Sequence, residues 1–438
     1  MSSTEAASSA VGAGAEHLVL LLLYQLIAIF VVTRIVVWIS NRWLGQTDAA
    51  GEILAGLVLG PSLFGAFFPG TMHALFAPQT APAFTCIAQV GLILLMFQIG
   101  LEFRFKDTLA TSKRTVVAIS VAGITVPFAL GYVTAPWFLA QLPGPLPDEL
   151  SFRLFFAVAM SITAIPILGR IFIELGVSHT RIAALTIGAA AIDDVAGWLI
   201  LGVVSAMILL QFDAGELTLR VVLLAAYLAL VFRAVRPPLQ RWLRRRLLQQ
   251  GKLDNRTLSL LLLLLFVSAS ATSNLGVFAI IGGFAMGVAL HDDRTFVEEW
   301  QRRVGGLVNA LFLPIFFAYT GLRTDVGSLA GDGMWVLCLA TIAIAFAGKF
   351  GGTYLAARLM GETQRDAVTI GVCMNTRALM ELIALNIGYD LGVLPRPVFT
   401  MLVLMAIAST FIATPLIRRL LRVEPREDAA AQPFRRAA

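Results

Sequence analysis

The chain has 438 residues, of which 58% are hydrophobic and 14% charged, with mean hydropathy +0.83 and a formal net charge of +6. Apolar runs of about 20 residues recur from end to end, which excludes a water-soluble globular domain and predicts an all-α polytopic membrane protein. The basic residues sit in loops beside those runs, so the positive charge reads as membrane topology and not as a nucleic-acid surface.

In chain order, the stretch from Met1 to His17 is polar, rich in Ala and Ser, and contains no Lys or Arg. Without a basic flank or cleavage site it is not a signal peptide, so the first span is expected in the mature chain behind an extracytoplasmic tail, residues 1–16. Hydropathy then predicts about thirteen spans. The first six are 17–40, 50–64, 83–101, 115–139, 152–173 and 181–209. A seventh, 221–232, leads into a basic segment, 233–256, and the last six are 258–273, 277–290, 304–320, 335–359, 367–387 and 398–417. A cytoplasmic tail, 421–438, follows.

Charge placement supports this count. One set of alternate loops carries Arg42; Arg104, Lys106, Lys113 and Arg114; Arg170 and Arg181; the run from Arg233 to Lys252; Arg294, Arg302 and Arg303; Arg358 and Arg365; and the tail from Arg418. The opposite loops carry Arg153, Arg220, Arg323 and Arg396. The excess predicts the N-terminus outside and the C-terminus in the cytoplasm of a bacterial inner membrane. The cluster Arg241–Arg246 is read chiefly as this topology signal, with anionic membrane lipid as its other possible partner.

The spans divide as three, three, one, three, three about the seventh. An odd-numbered repeat unit that appears twice must be inserted in opposite senses, which predicts inverted-topology repeats. The spacings Gly56-x-x-x-Gly60 and Gly283-x-x-x-Gly287 are expected to pack helices within the chain. Cys86, Cys338 and Cys373 lie in apolar segments at unrelated spacings and are expected to be core residues without disulfide or metal.

Three spans carry candidate chemistry. Span five contains Ser161, Thr163 and Pro166. A mid-span Pro removes a backbone hydrogen bond, and a broken helix at membrane depth can aim its ends and carbonyls at an ion. The other reading is a simple kink with hydroxyls bonded back to their own helix. Span six places the adjacent carboxylates Asp193 and Asp194 mid-membrane, where an ionised group is costly and marks a functional site by default. Span twelve, at the matching place in the second half, is interrupted by Asn375, Thr376, Arg377 and Glu381, and the last two stand i,i+4 for mutual neutralisation. In span eleven Lys349 lies about 15 Å along a helix from the basic end at Arg358, too far to snorkel easily. It therefore calls for an internal partner, with Asp193 and Asp194 the candidates. The four histidines lie at span ends or in loops and form no catalytic constellation, so enzyme activity is not expected.

These motifs resemble the monovalent cation:proton antiporter-2 family, bacterial sodium/proton antiporters and plant cation/proton exchangers among them. The similarity lies in the run from Ser161 to Arg170, Ala191-Ile-Asp-Asp-Val-Ala-Gly-Trp198, Gly348-Lys349-x-x-Gly352, and the run from Asn375 to Gly388. Gly51 to Pro61, Leu95 to Glu102 and Ile315 to Asp325 extend it. The resemblance implies crossed discontinuous helices in a homodimer, with a dimerisation domain of residues 17–103 and 257–322. The core domain is 104–210 and 323–420, and the linker is 211–256. It implies that Asp194, with Asp193, Thr163 and Ser161, binds the cation or proton, with Lys349 as charge partner. Pro166, Asn375, Thr376, Arg377 and Glu381 would support the broken helices. Asp193 stands where the plant exchangers usually have Asn, and Arg377 where Lys is frequent. The expected function is exchange of Na⁺ or K⁺ for H⁺ by alternating access, without a cofactor and with no metal beyond the transported cation. A potassium-efflux channel-like transporter and a sodium-coupled organic-solute carrier are the alternatives.

Overall fold

The computed structural model describes residues 2–46, 48–101, 113–163, 168–169, 171–172, 175–177, 180–209, 214–275, 278–331, 333–377 and 379–421. Every regular element among them is helical. The apolar segments become α1 (Ser2–Leu44), α2 (Asp48–Leu59), α3 (Ala81–Leu101), α4 (Lys113–Leu139), α5 (Glu149–Ser161) and α6 (Arg181–Leu209). The seventh span is α7 (Ala214–Leu230), continued through a π-helical turn, Val231–Val235, into α8 (Arg236–Gln250). The second half comprises α9 (Asn255–Asn274), α10 (Ala279–Leu290), α11 (Arg294–Trp300), α12 (Leu313–Arg323), α13 (Met334–Leu359), α14 (Gln364–Met374), α15 (Leu379–Asp390) and α16 (Arg396–Leu420).

Nine described helices are long and apolar enough to cross a membrane, or eleven when each of two bent pairs counts as one span. Of the thirteen expected spans, α10 is shorter, at 12 residues, and α5 covers only the first part of span five. The bent pairs are spans ten and twelve, with angles of 45° and 43°. Span ten bends where π-helical turns replace the α pattern at Gln301–Gly305 and Val308–Phe312. The first span, Glu16–Leu44, starts where expected, inside a helix that begins at Ser2. One expectation needs correction: the basic stretch after span seven is a continuation of the helix instead of a loop.

The packing pattern carries the inverted repeat. Under the exchange of spans 1–6 with 8–13, the pairing of α3 with α10 maps onto the pairing of α12 with α2, and both pairs pack closely. The pairings α1·α2 and α9·α10, and likewise α4·α5 and α13·α14, are images of each other. The pair α4·α13 maps onto itself. The GxxxG glycines serve these contacts inside the chain. A Cβ on Gly56 would run into the Phe317 carbonyl, one on Gly321 into the backbone of Gly56, and one on Gly287 into the Phe97 carbonyl. Cys338 and Cys373 are buried as expected, whereas Cys86 is exposed. It sits on a helix whose outward side faces away from the protein interior, where a bilayer replaces the core as apolar surroundings.

Two sets of helices result. In one, α2 lies between α1 and α12, and α3 against α10; in the other, α4, α5 and α6 surround α13, α14 and α16. Between them run a contact of α2 with α16 and a polar seam near Arg323. There the guanidinium meets Asp390 at 2.6 Å, lies 4.0 Å from the Tyr319 ring and donates to Asn386 at 3.2 Å.

Candidate ion-binding site

Helix α5 starts on an Asp148 cap that accepts the Ser151 amide at 2.9 Å, and it buries Phe152, Phe155 and Phe156 completely. It ends at Ser161, because Ile162 is extended at φ −68°, ψ 140°. A helix end inside a membrane leaves its last four carbonyls without intrahelical donors and with no water to replace them. Here each has a partner. The Ser161 hydroxyl donates back to the Val158 carbonyl at 2.9 Å. Arg377 donates to the carbonyls of Ala159 at 3.1 Å and Met160 at 2.5 Å, and Lys349 donates to that of Ser161 at 2.7 Å. Two cations thus face the negative end of a half-helix dipole.

Arg377 reaches that position because span twelve is itself interrupted. Helix α14 stops at Met374, Asn375 to Arg377 leave helical geometry, and α15 starts at Leu379. The Thr376 hydroxyl satisfies the Cys373 carbonyl at 2.9 Å, and the Thr410 hydroxyl donates to the carbonyl of Arg377. Arg377 and Glu381, both fully buried, form the i,i+4 pair at 3.4 Å. Asn375 is 0% exposed and neither end of its amide has a hydrogen-bond partner among the described residues. The two breaks therefore meet at mid-membrane through Arg377, while Pro166 lies outside the described residues.

Lys349 is fully buried in the middle of α13, and its ammonium uses all three hydrogens. It donates to the carbonyls of Gly123 and Ser161, each at 2.7 Å, and to Asp193 Oδ2 at 2.9 Å. Of the two carboxylates, Asp193 is its ion-pair partner. Asp193 also accepts the Ser120 hydroxyl on Oδ1 at 2.5 Å and the Thr163 hydroxyl on Oδ2 at 2.9 Å. Asp194, 1% exposed, lines a narrow pocket with Ile162, Gly197, Trp198 and Met380, too tight for a water-sized sphere. The site thus divides into a charge-paired carboxylate in a polar cage and a second carboxylate against an apolar pocket.

Thr163, Asp193 and Lys349 come together as expected. Ser161 differs, since its hydroxyl stays on its own helix and its main-chain carbonyl is what touches Lys349. Ser120 and Gly123 on α4 were not anticipated. A Cβ on Gly123 would approach Thr353 Cγ2 to 2.9 Å and stand 3.4 Å from Asp193 Oδ2, so a larger residue there would crowd the cage. The sequence signal was a small, polar i,i+3 pair on one face of span four.

Residues 26–423 match the family model described as sodium/hydrogen exchanger, transmembrane. The Na⁺/H⁺ antiporter NhaS4 of Synechocystis is 33% identical over 404 residues, covering 92% of this chain and 97% of that protein. Cation/H⁺ antiporter 18 of Arabidopsis thaliana is 34% identical over 402 residues, 91% of this chain, and the chain spans 48% of that longer protein. The solved sodium proton antiporter MjNhaP1 from Methanocaldococcus jannaschii has the same fold. Its TM-score is 0.59 at 16% identity, over 93% of this chain and 99% of that one. The chain is an integral membrane protein belonging to the sodium/hydrogen exchanger family.

Proposed function

We propose that the chain is a secondary active antiporter, not an enzyme, that exchanges Na⁺ or K⁺ for protons by alternating access. The observation that carries this reading is a charge count. Five charged side chains are 0–1% exposed among the described residues: Asp193, Asp194, Lys349, Arg377 and Glu381. Fully ionised, they carry three negative and two positive charges. One negative charge remains for a transported ion to balance, and a net charge at membrane depth costs at least several kcal/mol. A dehydrated monovalent cation or a proton removes that cost equally, and the two compete for the same carboxylate. Asp193 carries the Lys349 ion pair, and Asp194 lines the pocket formed with Ile162, Gly197, Trp198 and Met380, so the exchanged ion is assigned to Asp194 on that placement. The neutralised assembly can then move between the two membrane faces, whereas the charged one is held back.

The buried polar set at the site is small and mostly ionic, which favours an inorganic ion over an organic solute. The set built on α4, α5, α6, α13, α14, α15 and α16 is assigned as the moving core. The set with α1, α2, α3, α9, α10 and α12 is the scaffold through which two copies pair, α7 and α8 linking the sets. The barely covered side of α1, with Tyr24 51% and Trp38 63% exposed, suits a partner copy or lipid. By the charge bias of the loops, the N-terminus faces outward and the C-terminus the cytoplasm of a bacterial inner membrane. The test is a proteoliposome preparation with an imposed pH gradient, challenged in turn with Li⁺, Na⁺, K⁺ and Rb⁺. Na⁺ or K⁺ should dissipate the gradient saturably. Flux of the cation with no proton movement would replace antiport by a channel.

A further inference from the structure

The helix that leaves span seven is longer than a bilayer requires. The stretch Thr218–Gln249 has 32 residues, roughly 48 Å at 1.5 Å per residue against a hydrocarbon core of about 30 Å. Its second part, α8, carries Arg236, Arg241, Arg244, Arg245 and Arg246, a composition suited to the headgroup layer. Leu239, Leu243 and Leu247, spaced i, i+4, i+8, are 8%, 0% and 5% exposed and fix the rotation of α8 against the protein. Gln240 ties it to the end of α10 by donating to the Ala289 carbonyl at 2.8 Å.

That rotation places Arg241, Arg244 and Leu248, spaced i, i+3, i+7, along a groove of about 650 Å³ between α8 and residues 292–295. The opposite wall supplies Asp292, Asp293, Arg294 and Thr295. Both acids there are engaged. Asp292 pairs with Arg236 and lies 3.1 Å from His291 Nε2, and Asp293 caps α11 by accepting the Phe296 amide at 3.2 Å. Arg241 and Arg244, further along α8, are not matched in the same way. Arg241 reaches only the carbonyl of Pro237 in its own helix, at 3.2 Å, and Arg244 has no ion pair or hydrogen bond among the described residues. Side chains three apart on a helix stand about 5–6 Å apart at Cβ, a spacing that lets two guanidinium forks converge on one tetrahedral anion. Beside them Leu248 is 78% exposed.

We propose that this groove binds a phosphate group, carried by the headgroup of an anionic phospholipid, between Arg241 and Arg244 of α8 with Arg294 on the facing wall. The site lies far from the buried carboxylates in sequence and does not depend on the antiport assignment. Bound there, the phosphate joins the helix after span seven to the start of the bent span ten.

The experiment follows thermal unfolding of the full chain, purified in a neutral detergent with phosphatidylcholine. Phosphatidylglycerol is added in one arm and inorganic phosphate at matched ionic strength in the other. Two variants of equal charge loss are compared, Arg241→Gln/Arg244→Gln inside the groove and Arg245→Gln/Arg246→Gln on the same helix outside it. Phosphatidylglycerol should raise the Tm of the native chain and of the outside variant by a few degrees. The groove variant, with its unliganded Tm unchanged, should lose that shift. The same pattern with inorganic phosphate would keep the site and make its source soluble. Equal loss in both variants, or no shift in either arm, would overturn the proposal.

Discussion

Removing Lys349 tests whether the buried ion pair is what holds the two half-sites together. In Lys349→Met the ammonium disappears from three acceptors at 2.7–2.9 Å: the Gly123 and Ser161 carbonyls and Asp193. Asp193, 1% exposed, keeps the Ser120 and Thr163 hydroxyls but no longer has its countercharge. Breaking one side of a buried pair costs about 3–5 kcal/mol, mostly because the surviving charge is stranded. Asp193→Asn in the same background removes that charge while keeping the volume, so most of the loss should return. A coupling of at least about 2 kcal/mol is expected from the double-mutant cycle. Read as thermal stability in detergent, the single Lys349→Met variant should melt roughly 5 °C below the native chain, with the double variant recovering more than half of that difference. If the double variant instead melts at the sum of the two single losses, Lys349 and Asp193 are not coupled and the paired-carboxylate account fails.

Arg377→Ala should be at least as damaging, since it uncaps the Ala159 and Met160 carbonyls and strands Glu381; Arg377→Lys should retain part of the folded yield measured by size-exclusion chromatography. Thr163→Val removes one donor to Asp193 Oδ2, so it should raise the apparent KM for the cation several-fold with expression largely intact; an unchanged KM would restrict Thr163 to a structural part. Gly56→Ala forces a Cβ into the Phe317 carbonyl between α2 and α12, and the cost expected of such overpacking, about 1–3 kcal/mol, should appear as a lower Tm with little change in ion affinity.

The spans were legible because an uninterrupted apolar run long enough to cross a bilayer has few other readings. Their ends were less so. Helix α1 runs back through polar Ala- and Ser-rich residues that hydropathy passes over, and the basic stretch after span seven lacks a continuous apolar run, its leucines recurring only at helical spacing. In the site, Asp193, Asp194, Lys349, Arg377 and Glu381 stood out because a charge in an apolar run is costly wherever it points. Which Asp takes the lysine was not legible. Adjacent residues on a helix point about 100° apart, and only the position of α13 against α4 and α6 decides between them. Ser120 and Gly123 are small and uncharged, and their part depends wholly on Lys349 arriving from α13, more than two hundred residues later.

The central claim is that Asp194 is the carboxylate at which cation and proton compete. The most direct measurement compares native and Asp194→Asn protein, reconstituted at equal density in proteoliposomes, for cation-driven dissipation of an imposed pH gradient. Asn keeps the volume and the hydrogen-bonding capacity but cannot ionise, so the variant should insert normally and lose essentially all cation-dependent proton movement at saturating Na⁺ or K⁺. Exchange at more than a marginal fraction of the native rate would contradict the account and move the carrier role to another of the buried acids.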